Sequence, residues 1–300
     1  MHIFYSDHCE FPLPPGHRFP AEKYRLLREA LLQQDIIPPA RFHPAEPIPL
    51  DLLALAHTPA YIQAVLEGTL PSQIERQIGL PWSPELAQRS LLSVGGTWQA
   101  AQHALRDGLS GNLAGGTHHA LADQGMGFCV FNDAAVTAIA LLEHGWVHRI
   151  AVVDLDVHQG NGTAAILGPY SQIFTLSLHG EKNYPFRKVP STLDIGLPDH
   201  CDDATYLAAL DEGIKAVLNF RPQIVLYLAG ADPLAADRLG RLDLTLEGLA
   251  QRDRMVLDAC SAHNIPVVLV MAGGYAQPIE LTVEAHLQTY VLAQNIVGMA

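Results

Sequence analysis

Apolar residues fall along this chain in two alternating rhythms. Largely apolar runs cover residues 3–5, 150–153, 173–178, 224–228 and 267–271, the last four rich in β-branched side chains. Runs of that length and type predict strands buried on both faces. A shorter strand is expected at 112–114. Between the strands, residues 21–34 (AEKYRLLREALLQQ) carry apolar positions at helical spacing, and Ile36-Ile37-Pro38-Pro39 ends that helix. Residues 58–68 predict a helix with Thr58 as N-cap and Pro59 at its first position. A long helix is expected over 84–108, where Gly95-Gly96 suits close packing better than helix propensity. The segment 132–144 is almost wholly apolar, hence a buried helix, and 203–219 and 245–263 supply two more. Strands joined by helices predict a parallel sheet covered on both faces. With no linker, charge block or repeat, residues 1–300 are expected to form one α/β domain.

Composition narrows the classes. Of 300 residues, 49% are hydrophobic and 16% charged, which fits a well-buried globular protein. Eighteen basic residues against 31 acidic give a net charge of −13. That balance disfavours nucleic acid and anionic lipid, and makes a cationic peptide or polyamine the easier partner. No apolar run reaches the ~18 residues of a membrane span, and MHIFYSDH lacks the features of a signal peptide. Cys9, Cys129, Cys201 and Cys260 lie far apart without a CxxC pair, as expected of a cytoplasmic protein. Fifteen histidines stand out, because imidazole is the common metal-binding and proton-transfer side chain.

Ligands of open parallel sheets bind beyond the carboxyl ends of the strands, and that is where this chain keeps its chemistry. Gly115-Gly116-Thr117-His118-His119 follows the strand expected at 112–114. The strand at 150–153 runs into Asp154-Leu-Asp156-Val-His158, then Gln159 and Asn161. Asp232 follows 224–228, and Gly273-Gly274-Tyr275 follows 267–271. Alternate residues of a strand share a face, so Asp154, Asp156 and His158 would crowd together and repel without a cation. Two of them with Asp232 would make an O/N/O metal site with a position left for water. The plainer reading is an acidic patch that caps helices. For His118-His119 the plainer reading is a loop pair, although a Gly-Gly turn would let both rings reach the site, with Asp154 and Asn161 available to orient them. Tyr275 is either a surface aromatic or an oxyanion donor.

Taken in order, GGTHHA, GFCVFND, VDLDVHQGNGT, SLH, AGADPLAADRLGRLDLT and AGGY resemble the zinc-dependent histone deacetylase family. The likeness covers nearly the whole chain. HRFPAEKY and IPVVLVMAGGY look most like its class IV-like branch. The resemblance implies a three-layer, arginase-like α/β fold with a central, mostly parallel sheet. It implies Zn²⁺ on Asp156, His158 and Asp232, with Fe²⁺ equally served by an O/N/O shell. His119 would be the general base and later acid, His118 its electrostatic support oriented by Asp154, and Tyr275 the donor to the amide oxygen. Asn161 stands where some branches orient the base with aspartate. A structural K⁺ would take carbonyls of Asp154, Asp156, His158 and Leu178, the Asp154 carboxylate and the Ser177 hydroxyl. Gly127 and Phe128, with Tyr184 opposite, would wall a tunnel for an acyl-lysine stem, or else be ordinary core packing.

The activity so implied is hydrolysis of acetyl or other acyl groups from lysine ε-amines of peptides and proteins. Leu239 falls where polyamine-selective members carry an acidic residue, which favours acyl-lysine over an acetylpolyamine or another small acylated amine. A ureohydrolase would need a second metal and further aspartates, where this chain has Gln159 and Asn161. A catalytically silent acyl-lysine binder is the alternative outside the enzymes.

Overall fold

The computed structural model describes residues 1–299. Its strands are β1 (His2–Tyr5), β2 (Phe42–Pro44), β3 (Leu109–Asn112), β4 (Ile150–Asp154), β5 (Ile173–Gly180), β6 (Leu193–Leu197), β7 (Ile224–Leu228) and β8 (Val267–Val270). They form one parallel sheet in the order β2-β1-β3-β8-β7-β4-β5-β6. The helices are α1 (Lys23–Gln33), α2 (Leu50–Leu53), α3 (Pro59–Glu67), α4 (Ser72–Ile78), α5 (Pro84–Asp107), α6 (Asp133–Glu143), α7 (Asn161–Leu167), α8 (Asp203–Phe220), α9 (Leu246–Ala262) and α10 (Glu280–Met299).

Strand alternation sorts the core into two layers. Ile150, Val152, Leu226, Val268 and Val270 point to the side where α3, α5 and α6 pack. Ala151, Val153, Val225, Tyr227 and Leu269 point to the side covered by α1, α8, α9 and α10. Both faces of the central strands are therefore dry, which is why their sequences are apolar without interruption. Thr58 accepts a hydrogen bond from the Tyr61 amide and caps α3, with Pro59 at its first position. In α5, a Cβ on Gly95 would lie 1.8 Å from the Glu46 carbonyl oxygen, so the glycine is where the chain crosses closest.

The structure departs from expectation at several elements. β3 ends at Asn112, so residues 113–114, expected inside a strand, already lie in the loop. The edge strands β2 and β6 are half-exposed and carry no apolar run. Helices α2, α4, α7 and α10 were not anticipated; α7 starts inside the polar Gly160-Asn161-Gly162 stretch that masks it. No described helix is long and apolar enough to cross a membrane.

One feature of the topology sets up the site. The strands that end in polar clusters, β3, β8, β7 and β4, are four consecutive neighbours in the sheet. Their last residues are in register: Asn112 pairs with Val270, Val270 with Leu228, and Leu228 with Asp154. Loops that leave adjacent strands at one level must meet.

Candidate active site

They meet in a cavity of about 420 Å³ lined by His118, His119, Gly127, Phe128, Asp156, His158, Tyr184, Leu239 and Tyr275, among others. Asp154 and Asn161 lie behind the two lining imidazoles, and Asp232 is fully buried beside Asp156 and His158.

Ligand atoms of Asp156, His158 and Asp232 all fall within 4.8 Å of one another. His158 Nδ1 is 2.9 Å from Asp156 Oδ1 and 3.2 Å from Asp232 Oδ2. The outer oxygens are already held: the Gly273 amide donates to Asp156 Oδ2 at 2.7 Å, and the Val157 amide to Asp232 Oδ1 at 2.8 Å. Burial and repulsion from Asp156 push the Asp232 carboxyl up to about 7. Two buried carboxylates facing one ring nitrogen, with their remaining oxygens anchored by backbone, form a donor set that a divalent cation fits.

The loop carrying the paired histidines is built by Gly115 and Gly116, both at positive φ (78° and 72°), where a Cβ would be strained. Asp133, at the start of α6, grips it. Its carboxylate accepts from the Gly116 and Thr117 amides at 3.0 and 2.8 Å and from the Thr97 and Thr117 hydroxyls, both at 2.7 Å. Both rings thereby face the cavity. His118 Nδ1 lies 2.7 Å from Asp154 Oδ2, and His119 Nδ1 lies 2.7 Å from Asn161 Oδ1. Burial opposes a charge on His118, but the Asp154 and Asp156 carboxylates together outweigh it and raise its pKa to about 9. Burial, with His118 and His158 nearby, holds His119 well below its ordinary value. An amide oxygen only accepts, so His119 carries its proton on Nδ1 and keeps a lone pair on Nε2.

Tyr275 is fixed through its backbone, whose amide donates to Asp237 Oδ2 at 2.6 Å. The other oxygen of Asp237 accepts from the Leu239 and Gly240 amides at 2.8 and 3.0 Å, so one carboxylate ties the phenol to the rim. Lys23, from α1, is buried beneath the turn. Its ammonium bonds the carbonyls of Ala272 and Gly274 at 3.2 and 3.4 Å and sits 5.1 Å from the Tyr275 ring centre. Burial lowers the Lys23 pKa to about 8, against the pull of Asp232, Asp156 and Asp237. Burial, with Asp156 and Asp232 nearby, pushes the Tyr275 phenol well above its usual value, so it stays a donor.

Along the channel, the Tyr184 ring stands edge-on to His119 at 4.9 Å, and the Phe128 and Tyr275 rings are 5.9 Å apart. A Cβ on Gly127 would lie 2.6 Å from the His119 ring, so this wall comes closer than any side chain allows. Ser177 and Leu178 lie on β5 outside the cavity; Ser177 pairs in register with Asp154, and its hydroxyl is 3.0 Å from His179 Nδ1. Sequence reasoning missed Lys23, Asp133 and Asp237. The last two sit inside quoted motifs (GFCVFND and AADRLG), which was the available signal; Lys23 had only its place in HRFPAEKY.

A histone deacetylase domain model matches residues 17–290. An uncharacterised protein of Picosynechococcus sp. is 42% identical over 295 residues, covering 98% of each chain. Histone deacetylase 2 of Arabidopsis thaliana is 31% identical over 272 residues, 86% of this chain and 70% of that one. Among solved structures, an HDAC homologue complexed with SAHA superposes with a TM-score of 0.83 at 25% identity, covering 99% of this chain and 84% of that one.

Proposed function

Since the chain belongs to the histone deacetylase family, we propose that it is a metal-dependent amidohydrolase that removes acetyl or other acyl groups from lysine ε-amines. The observation that carries this reading is the convergence of Asp156, His158 and the buried Asp232 at the floor of the cavity lined by His119 and Tyr275. Residues 1–300 are taken as one catalytic domain.

Asp156, His158 and Asp232 would hold Zn²⁺, or Fe²⁺, which when bound supplies Lewis acidity and eases deprotonation of water. His119, neutral and with Nε2 free, takes the proton from the attacking water and returns it to the leaving amine. His118, kept charged by Asp154, steadies the negative charge that builds nearby. The Tyr275 hydroxyl donates to the amide oxygen as it gains charge. Gly127, Phe128 and Tyr184 enclose the methylene stem. Leu239 leaves the rim without an acid there for a distal ammonium, which supports acyl-lysine over acetylpolyamine. Asp154, Ser177 and Leu178, with the backbone of Asp156 and His158, would frame a K⁺ site; the support is the Asp154–Ser177 pairing across β4 and β5.

The test is turnover of acetyl-lysine peptides and acetylspermidine by chelator-treated and Zn²⁺-restored enzyme. Metal-dependent acetate release with peptides preferred is expected. Release unaffected by the chelator, or binding without release, would overturn the reading.

A further inference from the structure

The chain is acidic, with 31 acidic residues against 18 basic, yet the mouth of its channel is not. Five basic residues line the cavity, and the one acid among the lining residues is Asp156, buried at the floor. Lys23 is buried too. The exposed charges are therefore all positive: Arg18 from the segment before α1, Arg76 from α4, Lys182 from the loop after β5, and Arg241 from the loop after β7. Four separate segments contribute one cation each. Lys182 and Arg241 share a single carboxylate, Asp199, at 3.6 and 3.0 Å. Arg18 and Arg76 have no carboxylate within 4.0 Å among the described residues. Glu75 and Glu181 adjoin Arg76 and Lys182 in sequence, but neither lines the cavity.

Net charge pointed towards a cationic partner. The exposed charged residues lining the opening have the opposite sign, and local charge governs encounter and orientation. An acyl-lysine has lost its own charge, so what the mouth sees is the residues on either side. Phe186 adds a second clue. It lies at the same rim, 89% exposed, an apolar ring available to a chain laid across the opening.

Building on the deacylase reading, we propose that the mouth selects acyl-lysine in an acidic sequence context. The substrate is a peptide segment whose Asp or Glu side chains flank the acylated lysine and meet Arg18, Arg76, Lys182 or Arg241 at the opening. Basic tails and polyamines are disfavoured by the same charges.

Three peptides of equal length, each with one central acetyl-lysine and flanked by glutamate, glutamine or lysine, test this with the metal-loaded enzyme. The expected order of kcat/KM is Glu, Gln, Lys, spanning about tenfold or more and lying mainly in KM, as for steered association. The spread should collapse as salt rises from about 0.01 to about 1 M, where the Debye length falls from ~30 to ~3 Å. Arg18→Glu combined with Arg76→Glu should invert the Glu-to-Lys ratio, a readout that the fraction of folded enzyme does not affect. Equal rates, or preference for the lysine-flanked peptide or acetylspermidine, would overturn the proposal. If no peptide is hydrolysed, the deacylase reading fails, and anisotropy of the same labelled peptides still decides the mouth. Tighter binding of the glutamate peptide upholds it; equal or reversed affinities sink it.

Discussion

His118 and His119 are consecutive residues with ring centres 4.1 Å apart, yet one leans on the carboxylate of Asp154 and the other on the carboxamide of Asn161. The two partners sit at the end of β4 and the start of α7, eight residues from first to last. A charged acceptor favours the imidazolium and a neutral one does not. Two chemically identical side chains are thereby made unequal by their backs.

That inequality can be narrowed. Asn161→Asp should raise the pKa of His119 and move the acidic limb of kcat/KM to higher pH. His119→Ala should cost ~10²–10⁴-fold in kcat/KM, the usual worth of a positioned proton carrier, and more than His118→Ala. Metal analysis of each variant keeps the comparison clean. Equal losses and an unmoved limb would refute the division of labour.

Asp156→Ala and Asp232→Ala each remove one of the three converging side chains proposed to hold the metal. Each should lower bound Zn²⁺ well below one equivalent by elemental analysis and abolish turnover together with it. A full complement of metal at near-normal rate in either variant would dismiss the site. A hydroxamate should inhibit the native enzyme and lose affinity for both variants.

Tyr275→Phe should keep fold and metal while lowering kcat by ~10²–10³-fold, as loss of one oxyanion donor does. Lys23→Met should also lower kcat, because the carbonyls of Ala272 and Gly274 lose the ammonium that sets the turn. If Lys23 acts through the phenol, adding Lys23→Met to Tyr275→Phe should cost little more. Fully additive losses in kcat would show an independent role.

His57 is buried, and its Nε2 accepts from the Asn132 amide at 2.9 Å, so protonation there would set one N–H against another. Burial lowers its pKa to about 4. The unfolded chain binds that proton near pH 6.5 and the folded one does not. Stability is therefore full above that pH and falls between about 6.5 and 4, by on the order of 3 kcal/mol. His57→Asn should flatten the fall of Tm over that range; an unchanged slope would assign the acid sensitivity elsewhere.

The central strands were legible because burial on both faces leaves β7, β8 and, up to its terminal Asp154, β4 apolar throughout. β3 was misplaced since Ser110, Gly111 and Asn112 give no apolar run; Gly111 is small because a Cβ there would lie 2.8 Å from the Tyr290 ring. The clusters following the strands could be read one by one, since each polar group is local in sequence. What holds them in place could not. Lys23 looks like the solvated face of a helix until α1 docks under the turn after β8, and Asp133 resembles an ordinary first-turn acid until its carboxylate closes on residues 116 and 117. Those roles belong to contacts between distant segments.

The two strands synthesised last, β7 and β8, are wedged between β3 and β4 in the finished sheet. Without β7 and β8, residues up to 223 can supply only two separate ribbons of this sheet, β2-β1-β3 and β4-β5-β6, each lacking the neighbour of its inner edge. Both histidines, Asp156 and His158 are already present by then, but on different ribbons or beyond their ends, with neither Asp232 nor Tyr275 yet made. Closing the sheet and completing the site thus depend on the same pair of strands, β7 and β8, whose following loops carry Asp232 and Tyr275.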